Sequence, residues 1–226
     1  METSGLERHD VNFLALLSEA NRRRVLDGST RAAYPAGTLA YRPGDPPCAF
    51  LIDRGLVRGY WSVPDGRQAT VGFLHKNELV GGATIMNETP WAFIQLVTES
   101  RLTTLDLEKV RHLVATEIEV LSAVAIHLAA QVRHGGVLVA VRSLGNIRER
   151  LAYDLLERAC RSQLAAGRLH VRATHTDLAA SIGSSREVVT RALKGFRADG
   201  IVKTAPGAVR VVDPMRLAMI VRAFAI

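Results

Sequence analysis

The stretch Thr174–Val202, THTDLAASIGSSREVVTRALKGFRADGIV, predicts two short helices joined by a sharp turn. Gly183 stands between the helical segments, where a tight turn requires a residue that accepts positive φ. Thr176 is a candidate N-cap of the first helix, and Ser184 or Ser185 is a candidate N-cap of the second. The apolar side chains have helical spacing, as a buried face requires. They are Leu178, Ala179, Ile182, Val188, Val189, Leu193 and Phe196.

The outward face of the second helix carries charged and polar side chains in its first turns. They are Arg186, Glu187, Thr190, Arg191 and Lys194. A helix that only faces solvent also carries charge, so a solvated surface is the alternative. In a helix-turn-helix, the N-terminal residues of the second helix contact base edges in the major groove. Arginine can donate two hydrogen bonds to guanine, and glutamate can accept one from cytosine. Glu187 favours base recognition, because phosphates alone would repel its carboxylate.

The positive charge of the chain is concentrated near its C-terminus. Residues 1–140 contain 14 Lys and Arg against 15 Asp and Glu, a net charge of −1. Residues 141–226 contain 15 against 7, a net charge of +8. A basic segment joined to a neutral one is typical of a protein that meets a polyanion. Charge alone does not separate nucleic acid from an anionic membrane, and the helix-turn-helix pattern decides for double-stranded DNA.

Residues 32–106 break into short apolar runs bounded by Gly, Pro, Asp or Asn. Pro64-Asp65-Gly66 stands between two such runs and predicts the turn of a β-hairpin. Short strands at this spacing predict a small antiparallel sandwich or barrel. Its aromatic side chains are predicted to lie in the core, with the lining of an apolar pocket as the alternative. They are Trp61, Phe73, Trp91 and Phe93.

From Leu107 to Leu144 the chain contains no proline, and a heptad seam runs for three repeats. The seam predicts a long helix that packs against the same helix of a second copy. A helix buried within one domain is the alternative. Gly135-Gly136 costs about 1 kcal/mol of helix propensity per glycine, which indicates a close approach of the partner or a ligand, or a local kink. The seam positions are Ile118, Leu121, Ala125, Leu128, Val132, Gly135 and Val139.

The C-terminal segments complete a winged arrangement. Asn146 is a candidate N-cap of an amphipathic helix that Gly167 ends. Residues 169–173 form a short strand by their pattern, and residues 201–213 predict a hairpin with Pro206-Gly207 at its tip. Pro214 opens a closing helix. The hairpin supplies a wing that can lie along a DNA backbone.

This order of modules resembles the Crp/Fnr family of bacterial transcription regulators. Ser185-Arg186-Glu187, with Arg191 four residues after the glutamate, is similar to the family's recognition helix, and RLAYDLL from Arg150 resembles the start of its DNA-binding domain. The resemblance covers nearly the whole chain and implies an α+β fold. We expect an antiparallel, cyclic-nucleotide-binding-like β-roll at 1–107, a dimerisation helix at 108–144 and a winged helix-turn-helix at 145–226.

The resemblance also implies roles for individual residues. The expected base contacts are Arg186, Glu187 and Arg191, assisted by Thr190. Phosphate contacts fix the register of a protein on DNA without carrying sequence information. The expected phosphate contacts are Thr174, His175, Ser184, Ser185 and Lys194.

The β module lacks the residues with which the family's cyclic-nucleotide binders hold their ligand. Those proteins carry Gly-Glu-Leu, whose glutamate takes the ribose hydroxyl, and an Arg-Ser pair, whose arginine takes the cyclic phosphate. Here Gly81 matches the glycine, Gly82 replaces the glutamate, and no Arg-Ser pair follows. Burying a phosphate without a cation is costly, so we expect no binding of cyclic AMP in the usual manner. The candidate effector pocket comprises Gly81, Gly82, Ala83, Gly135 and Gly136.

The cofactor therefore stays unknown at this stage. An iron–sulfur switch needs a cluster of cysteines, whereas Cys48 and Cys160 lie far apart. We expect both cysteines to be structural, with redox sensing as an alternative. Haem is not excluded, because His75, His127 and His134 are available as axial ligands. A regulator without any ligand is a further alternative, and no metal site is expected.

These observations limit the classes of function that we expect of the protein. The sequence shows no carboxylate pair, metal triad or nucleophile with its base, so an enzyme is not expected. An adaptor whose helix pair binds protein is disfavoured by the charge of +8. We find no secretory signal and no uninterrupted apolar run near the ~20 residues of a membrane span. We expect a cytoplasmic homodimer that binds palindromic double-stranded DNA without a membrane, and RNA polymerase as a partner if it activates transcription.

Overall fold

The computed structural model describes residues 11–65 and 68–223. The chain forms two compact units, residues 1–133 and residues 134–226, and the division falls inside one long helix. A β-rich N-terminal domain, the long helix and a C-terminal helix-turn-helix with a small sheet confirm the predicted α+β class.

Eight strands form the β-roll of the N-terminal unit. They are β1 (Thr30–Tyr34), β2 (Leu39–Tyr41), β3 (Phe50–Arg54), β4 (Leu56–Ser62), β5 (Gln68–His75), β6 (Leu79–Val80), β7 (Phe93–Leu96) and β8 (Ser100–Thr104). Two antiparallel sheets result, with strand orders β1-β8-β3-β6 and β2-β7-β4-β5. The strands β4 and β5 form the predicted hairpin. Of its turn, Gly66 lies outside the described residues.

Two apolar clusters hold this unit together. The first joins both sheets and includes Phe50, Val57 and Leu96. The second joins the sheet of β3 and β6 to four helices and includes Leu79 and Val124. The helices are α1 (Glu19–Leu26), α2 (Gly82–Ile85), α3 (Leu107–Thr116) and α4 (Ile118–Leu144). Because each fully buried side chain contributes about 1.5–3 kcal/mol, the second cluster holds β6 and the first turns of α4 together.

The segment 108–144, predicted as one long helix, contains two helices. Glu117 separates α3 from α4 because its backbone is extended, with φ −121° and ψ 105°. The carboxylates around this break bind residues at α1. Glu117 accepts a hydrogen bond from Arg24 Nη1 at 2.8 Å, and Glu119 accepts one from Ser18 Oγ at 2.9 Å and another from Asn21. These contacts fix the start of α4 at Ile118.

The predicted seam of α4 lies on the side of the helix that the chain covers less. All seven seam positions are exposed or half-buried, and Ile118, Val132 and Val139 are 78%, 78% and 68% exposed. The helix continues through Gly135 and Gly136 without interruption. Among the described residues α4 is also the one helix that is long and apolar enough to span a membrane, although a third of that window is buried within the protein. Core helices of soluble proteins meet the same criterion.

The C-terminal unit contains the winged arrangement that the sequence predicted. Its elements after α4 are α5 (Ile147–Ala166), β9 (His170–Arg172), α6 (His175–Ser181), α7 (Arg186–Ala198), β10 (Val202–Ala205), β11 (Ala208–Val211) and α8 (Pro214–Arg222). Asn146 and Glu149 form a reciprocal capping box at the start of α5, and Gly167 ends that helix with φ +67°. The strands form an antiparallel sheet in the order β10-β11-β9.

The caps of the helix-turn-helix match the prediction at one helix and differ at the other. Ser185 caps α7 and accepts a hydrogen bond from the Val188 amide. Thr174 caps α6, so the expected cap Thr176 is wrong. Thr174 is the better cap because Asp177, three residues later, returns a hydrogen bond to its amide.

Gly81 generates a prediction about the stability of the N-terminal unit. Its φ is +88°, and an added Cβ would lie 2.5 Å from the Cys48 carbonyl oxygen. A left-handed conformation alone costs an L-residue about 1–2 kcal/mol, so Gly81→Ala is expected to lower the free energy of unfolding by more than that. Denaturant unfolding measures the loss. Gly44→Ala is the control, since Gly44 also has positive φ but nothing within 4 Å of an added Cβ. An equal loss in both variants would contradict the steric argument.

Candidate nucleic-acid interface

The helix α7 separates its side chains into a buried and an exposed face. Val189, Leu193 and Phe196 are buried among α5, α6 and β10, against which α7 packs. The five polar side chains singled out from the sequence are all exposed. They are Arg186, Glu187, Thr190, Arg191 and Lys194.

A contact between α5 and the C-terminal part of α7 fixes the orientation of α7, and the sequence did not reveal it. The Arg148 guanidinium lies 4.6 Å from the centre of the Phe196 ring, and its Nη2 donates to Asp199 at 2.7 Å. Gly195 leaves room for this arginine, since a Cβ there would lie 3.4 Å from Arg148 Nη1. An arginine inside the first turn of α5 was the only available signal.

The turn before α7 presents both predicted serines at the surface. Gly183 has φ +61°, as a tight inter-helix turn requires. The Ser184 amide donates to the Ala179 carbonyl at 2.9 Å, which closes the turn. Ser184 is half-buried and Ser185 is exposed, so both lie at the N-terminal end of α7 with Arg186 and Glu187.

Glu187 is held in its ionised form. A hydrogen bond from its own backbone amide, and then one from the Ser185 hydroxyl, lower the pKa of the Glu187 carboxyl below its usual range. The positive charges of Arg186 and Arg191 act in the same direction. The exposed carboxylate is therefore an acceptor at neutral pH, as a contact with a cytosine amino group requires.

Two residues predicted to contact DNA are bonded to one another. His175 Nδ1, at the start of α6, lies 2.8 Å from Thr190 Oγ1 on α7. The same hydroxyl lies 2.8 Å from the Arg186 carbonyl oxygen. The sequence could not show this pair, because fifteen residues separate its members.

The wing places two cations side by side. Lys203 on β10 lies opposite Arg210 on β11, and both are exposed. The turn that joins these two strands carries no charge, and its Gly207 has φ +67°. The strands of the wing, rather than the turn at its tip, therefore carry its positive charge.

The predicted effector-pocket residues are divided between the two units. Gly81, Gly82 and Ala83 lie at the junction of β6 and α2 in the first unit, whereas Gly135 and Gly136 belong to the second. Gly82 packs directly on α4, since an added Cβ would lie 3.2 Å from Leu128 Cδ2. A glutamate at position 82 would thus meet α4. Leu128, predicted for the dimer seam, packs against the second apolar cluster, which includes Leu79 and Val124.

A buried arginine lies inside the β-roll and escaped the sequence analysis. Arg58 on β4 is 0% exposed. Its guanidinium donates to Thr70 Oγ1 at 2.8 Å, to Gln68 Oε1 at 3.0 Å and to Gln95 Oε1 at 3.3 Å. It also lies 4.4 Å from the centre of the Tyr60 ring. The signal in the sequence is a lone cation inside the apolar strand LVRGYWS.

Two of the aromatic side chains predicted for the core are at the surface. Phe73 is buried and Phe93 is half-buried, but Trp61 and Trp91 are 53% and 54% exposed. The two indoles pack edge to face with ring centres 4.8 Å apart. Each covers one side of the other, which is why neither needs a place in the core.

The histidines considered for haem already have protein contacts. His127 is 1% exposed, and its Nε2 donates to the Leu79 carbonyl oxygen at 2.6 Å. His75 Nδ1 lies 3.2 Å from the Lys76 carbonyl oxygen, and His134 Nε2 lies 3.2 Å from Arg222 Nη2. Within the described part of the chain no group of three or more His, Cys, Asp or Glu could hold a metal ion.

Both cysteines are free thiols. Cys160 is fully buried on α5. Cys48 is half-buried, and burial, with a smaller effect of the Asp45 charge, raises the pKa of its thiol. A raised pKa disfavours the reactive thiolate of Cys48, and a structural role for both cysteines stays a prediction.

Comparison with known proteins covers both units. Residues 31–117 match the model of the cyclic nucleotide-binding domain, and residues 149–220 match the Crp-like helix-turn-helix domain. The chain is 30% identical over 183 residues to the cyclic AMP receptor protein of Thermus thermophilus, covering 80% of this chain and 83% of that protein. It is 25% identical over 189 residues to the CRP-like protein Clp of Xanthomonas oryzae pv. oryzae, covering 79% and 82%.

Two solved structures share the fold. A putative transcriptional regulator of the Crp/Fnr family from Eubacterium rectale aligns with a TM-score of 0.59 at 22% identity, over 94% of this chain and 100% of that one. The c-di-GMP responsive regulator CLP of Xanthomonas campestris aligns with a TM-score of 0.54 at 22% identity, over 86% and 99%.

Acid is expected to destabilise the N-terminal unit through His127. Burial lowers the pKa of His127, against smaller opposing effects of the Leu79 hydrogen bond and the Glu78 charge. The unfolded chain then binds more protons than the folded one, so stability present above about pH 6.5 is lost as the pH falls. His127→Gln keeps a donor for Leu79 and does not titrate. Denaturant midpoints between pH 7 and 5 should fall less in this variant, and equal pH dependences would contradict the assignment.

Proposed function

The chain belongs to the Crp/Fnr family of transcription regulators, and on that basis we propose that it is a homodimer that binds a palindromic operator in double-stranded DNA. As a family member it is a DNA-binding regulator with a ligand-sensing domain, and it is not an enzyme. The observation that carries the finer proposal is the outer face of α7, where five polar side chains are exposed above a fully buried apolar face.

The geometry supports direct base contacts from the first two turns of α7. Arg186 and Arg191 each offer the paired donors that match guanine O6 and N7, and ionised Glu187 offers the acceptor that matches cytosine N4. The Thr190 hydroxyl already bonds within the protein, so its methyl group is the part left for a thymine methyl. One half-site would thus be specified by G·C pairs next to a thymine.

Phosphate contacts would fix the register of α7 in the groove. The proposed residues flank α7 at its N-terminus, at the start of α6 and on its third turn, and the wing adds Lys203 and Arg210. Amides at a helix N-terminus and cations both favour phosphate. The residues are Thr174, His175, Ser184, Ser185 and Lys194.

The exposed seam of α4 supports the dimer. An isolated chain would leave Ile118, Val132 and Val139 in water, whereas a second copy of α4 would cover them in heptad packing. The small residues of the seam, Ala125 and Gly135, would allow a close approach. A two-fold dimer would place its two recognition helices at half-sites one helical turn, about 10–10.5 bp, apart.

Signal transmission would pass through α4. His127 and Gln131 both bond the Leu79 carbonyl oxygen, at 2.6 and 3.2 Å, so α4 is tied to the start of β6. We propose that an effector shifts the population of DNA-competent dimers by contacting one arrangement better than the other. The turn at Gly145 would orient the DNA-binding domains. This turn requires glycine, since a Cβ there would clash with the Val141 carbonyl oxygen.

For the effector we propose only which ligand the sequence disfavours and which alternatives are left. Two similar proteins are named a cyclic AMP receptor protein and a c-di-GMP responsive regulator, but Gly82 and the missing Arg-Ser pair disfavour cyclic AMP in the usual manner. Haem or redox sensing and ligand-independent regulation are the alternatives. The proposed location is the cytoplasm, and RNA polymerase is a proposed partner if the regulator is an activator.

Selection of bound duplexes from a random pool tests the proposal. Purified full-length protein at stated salt is expected to enrich a two-fold palindrome. Binding to a random duplex is expected to be much weaker and to fall steeply with salt. Recovery of no common sequence would contradict the proposed function.

Arg191→Ala is expected to weaken binding to the selected operator and to relax the preference at one base pair of each half-site. A bidentate contact contributes about 1–3 kcal/mol of discrimination, so the loss per half-site is expected to be about 5- to 150-fold. Titration of the operator and of its single-base variants measures both effects. Arg197→Ala, an exposed cation in the last turn of α7, is the control that should keep the base preference. Unchanged specificity in Arg191→Ala would remove Arg191 from the base contacts.

Val132→Glu is expected to convert the dimer into a monomer, because it places a charge in the middle of the apolar seam. Sedimentation velocity at micromolar protein measures the change. Ile126→Glu is the matched control, since Ile126 is also exposed on α4 but lies off the seam. A dimer that persists in Val132→Glu would show that α4 pairs through another face or does not pair.

A further inference from the structure

The contact between His175 and Thr190 determines where the imidazole carries its proton. Thr190 Oγ1 lies 2.8 Å from the Arg186 carbonyl oxygen, which can only accept. The single hydroxyl proton of Thr190 therefore goes to Arg186. Toward His175 Nδ1, also at 2.8 Å, the hydroxyl oxygen is the acceptor. His175 Nδ1 is thus the donor and carries a proton.

The second ring nitrogen of His175 is left for a partner outside the protein. A neutral imidazole has one N–H, so with the proton at Nδ1 its Nε2 has only a lone pair. Within residues 11–65 and 68–223 we find no hydrogen-bond partner for His175 Nε2, and it is not among the buried polar atoms that lack one. His175 is half-buried, so this nitrogen reaches solvent.

We propose that Thr190 positions His175 so that operator binding takes up a proton at His175 Nε2. A phosphate oxygen opposite the neutral ring would face a lone pair and be repelled. Protonation turns Nε2 into a positively charged donor, which forms a charge-assisted hydrogen bond with phosphate. His175 is then a proton-dependent phosphate contact, and Thr190 is its positioning residue. The inference rests on the proposed DNA-binding function and specifies how one of its contacts is regulated.

The charged groups around His175 do not provide the same response. On its own helix, the Thr174 amide and hydroxyl lower the pKa of Asp177, which stays ionised. The helices α7 and α5 pack against α6. The charged side chains in the first three turns of α7 are Arg186, Glu187, Arg191 and Lys194, and α5 adds Arg150 beside Gly183 and the Asp154–Arg158 ion pair, whose arginine acts on Asp177. Side chains of these types keep their charge between about pH 5 and 8, in which histidine changes its own.

The direction of the pH effect follows from proton uptake. If the complex holds a proton that the free protein lacks, affinity is highest in acid and falls as the pH rises through the range of histidine titration. In a homodimer two such groups act, so the logarithm of the binding constant falls by up to about two per pH unit.

The test measures dissociation constants of the full-length protein for its selected operator from pH 5.5 to 8.5 at constant ionic strength. The wild type is expected to weaken about tenfold or more over this range. His175→Gln, whose amide is a neutral donor that does not titrate, is expected to bind with a nearly flat pH profile. Thr190→Val removes the hydroxyl but keeps a methyl group, so it should flatten the profile. His112→Gln, at an exposed histidine on α3, should keep the wild-type profile.

Calorimetry in two buffers of different ionisation enthalpy counts the protons directly. The wild type should take up protons on binding near neutral pH, and His175→Gln should not. Equal pH profiles and proton counts in wild type and His175→Gln overturn the inference, while specific binding still supports the DNA-binding function. Absence of specific binding in every protein at every pH would instead refute that function. If Thr190→Val does not fold, the comparison with His175→Gln decides alone, because His175 is only half-buried and lies outside the core.

Discussion

The burial of Val189, Leu193 and Phe196 determines which side of α7 faces outwards, and the function of the C-terminal unit depends on it. Successive residues of a helix point about 100° apart. With these three inside, Glu187 and Arg191 must lie on the opposite side, and Arg186 is exposed as the first residue of the helix. Rotating α7 by one residue would bury a charge without a partner, which costs several kcal/mol. The stacking of Arg148 on Phe196 and its ion pair with Asp199 oppose the same rotation. This is therefore the one orientation of α7 that buries its apolar side chains and leaves its charged side chains in solvent.

The two sides of α4 differ, as its two proposed roles require. One side is buried through Val120 and Val124, and His127 ties it to the Leu79 carbonyl oxygen. The other side carries the exposed seam. A ligand that displaced β6 or α2 would act on the buried side, while a second subunit would cover the exposed one. Gly82 brings the β6–α2 junction directly onto Leu128, which is also a seam residue. A side chain larger than glycine at position 82 would therefore press on the helix proposed to transmit the signal.

Sequence reasoning succeeded where the determinants are local. Ser185 as a cap, the wing tip at Pro206-Gly207 and the outward face of α7 follow from spacing and turn chemistry within a few residues. It failed where the partner is distant in sequence. The break at Glu117 depends on Arg24, 93 residues away, and the buried Arg58 depends on Gln95, 37 residues away. The cap at Thr174 was missed although its partner Asp177 is nearby, because Thr176 offered an equally suitable hydroxyl. The base and phosphate contacts themselves stay predictions, since they involve a molecule outside the chain.

The central claim is that the first turns of α7 enter the major groove and contact guanine there. Substitution of 7-deazaguanine tests it most directly, because this base pairs normally but lacks the N7 acceptor on the major-groove edge. Each guanine of the selected operator would be replaced in turn, and the affinity of the wild-type protein measured at one fixed salt concentration. The account predicts a loss at symmetry-related guanines in the two half-sites, and no further loss at one of these positions when Arg191 is alanine. Full affinity with every guanine of both half-sites replaced would contradict the account.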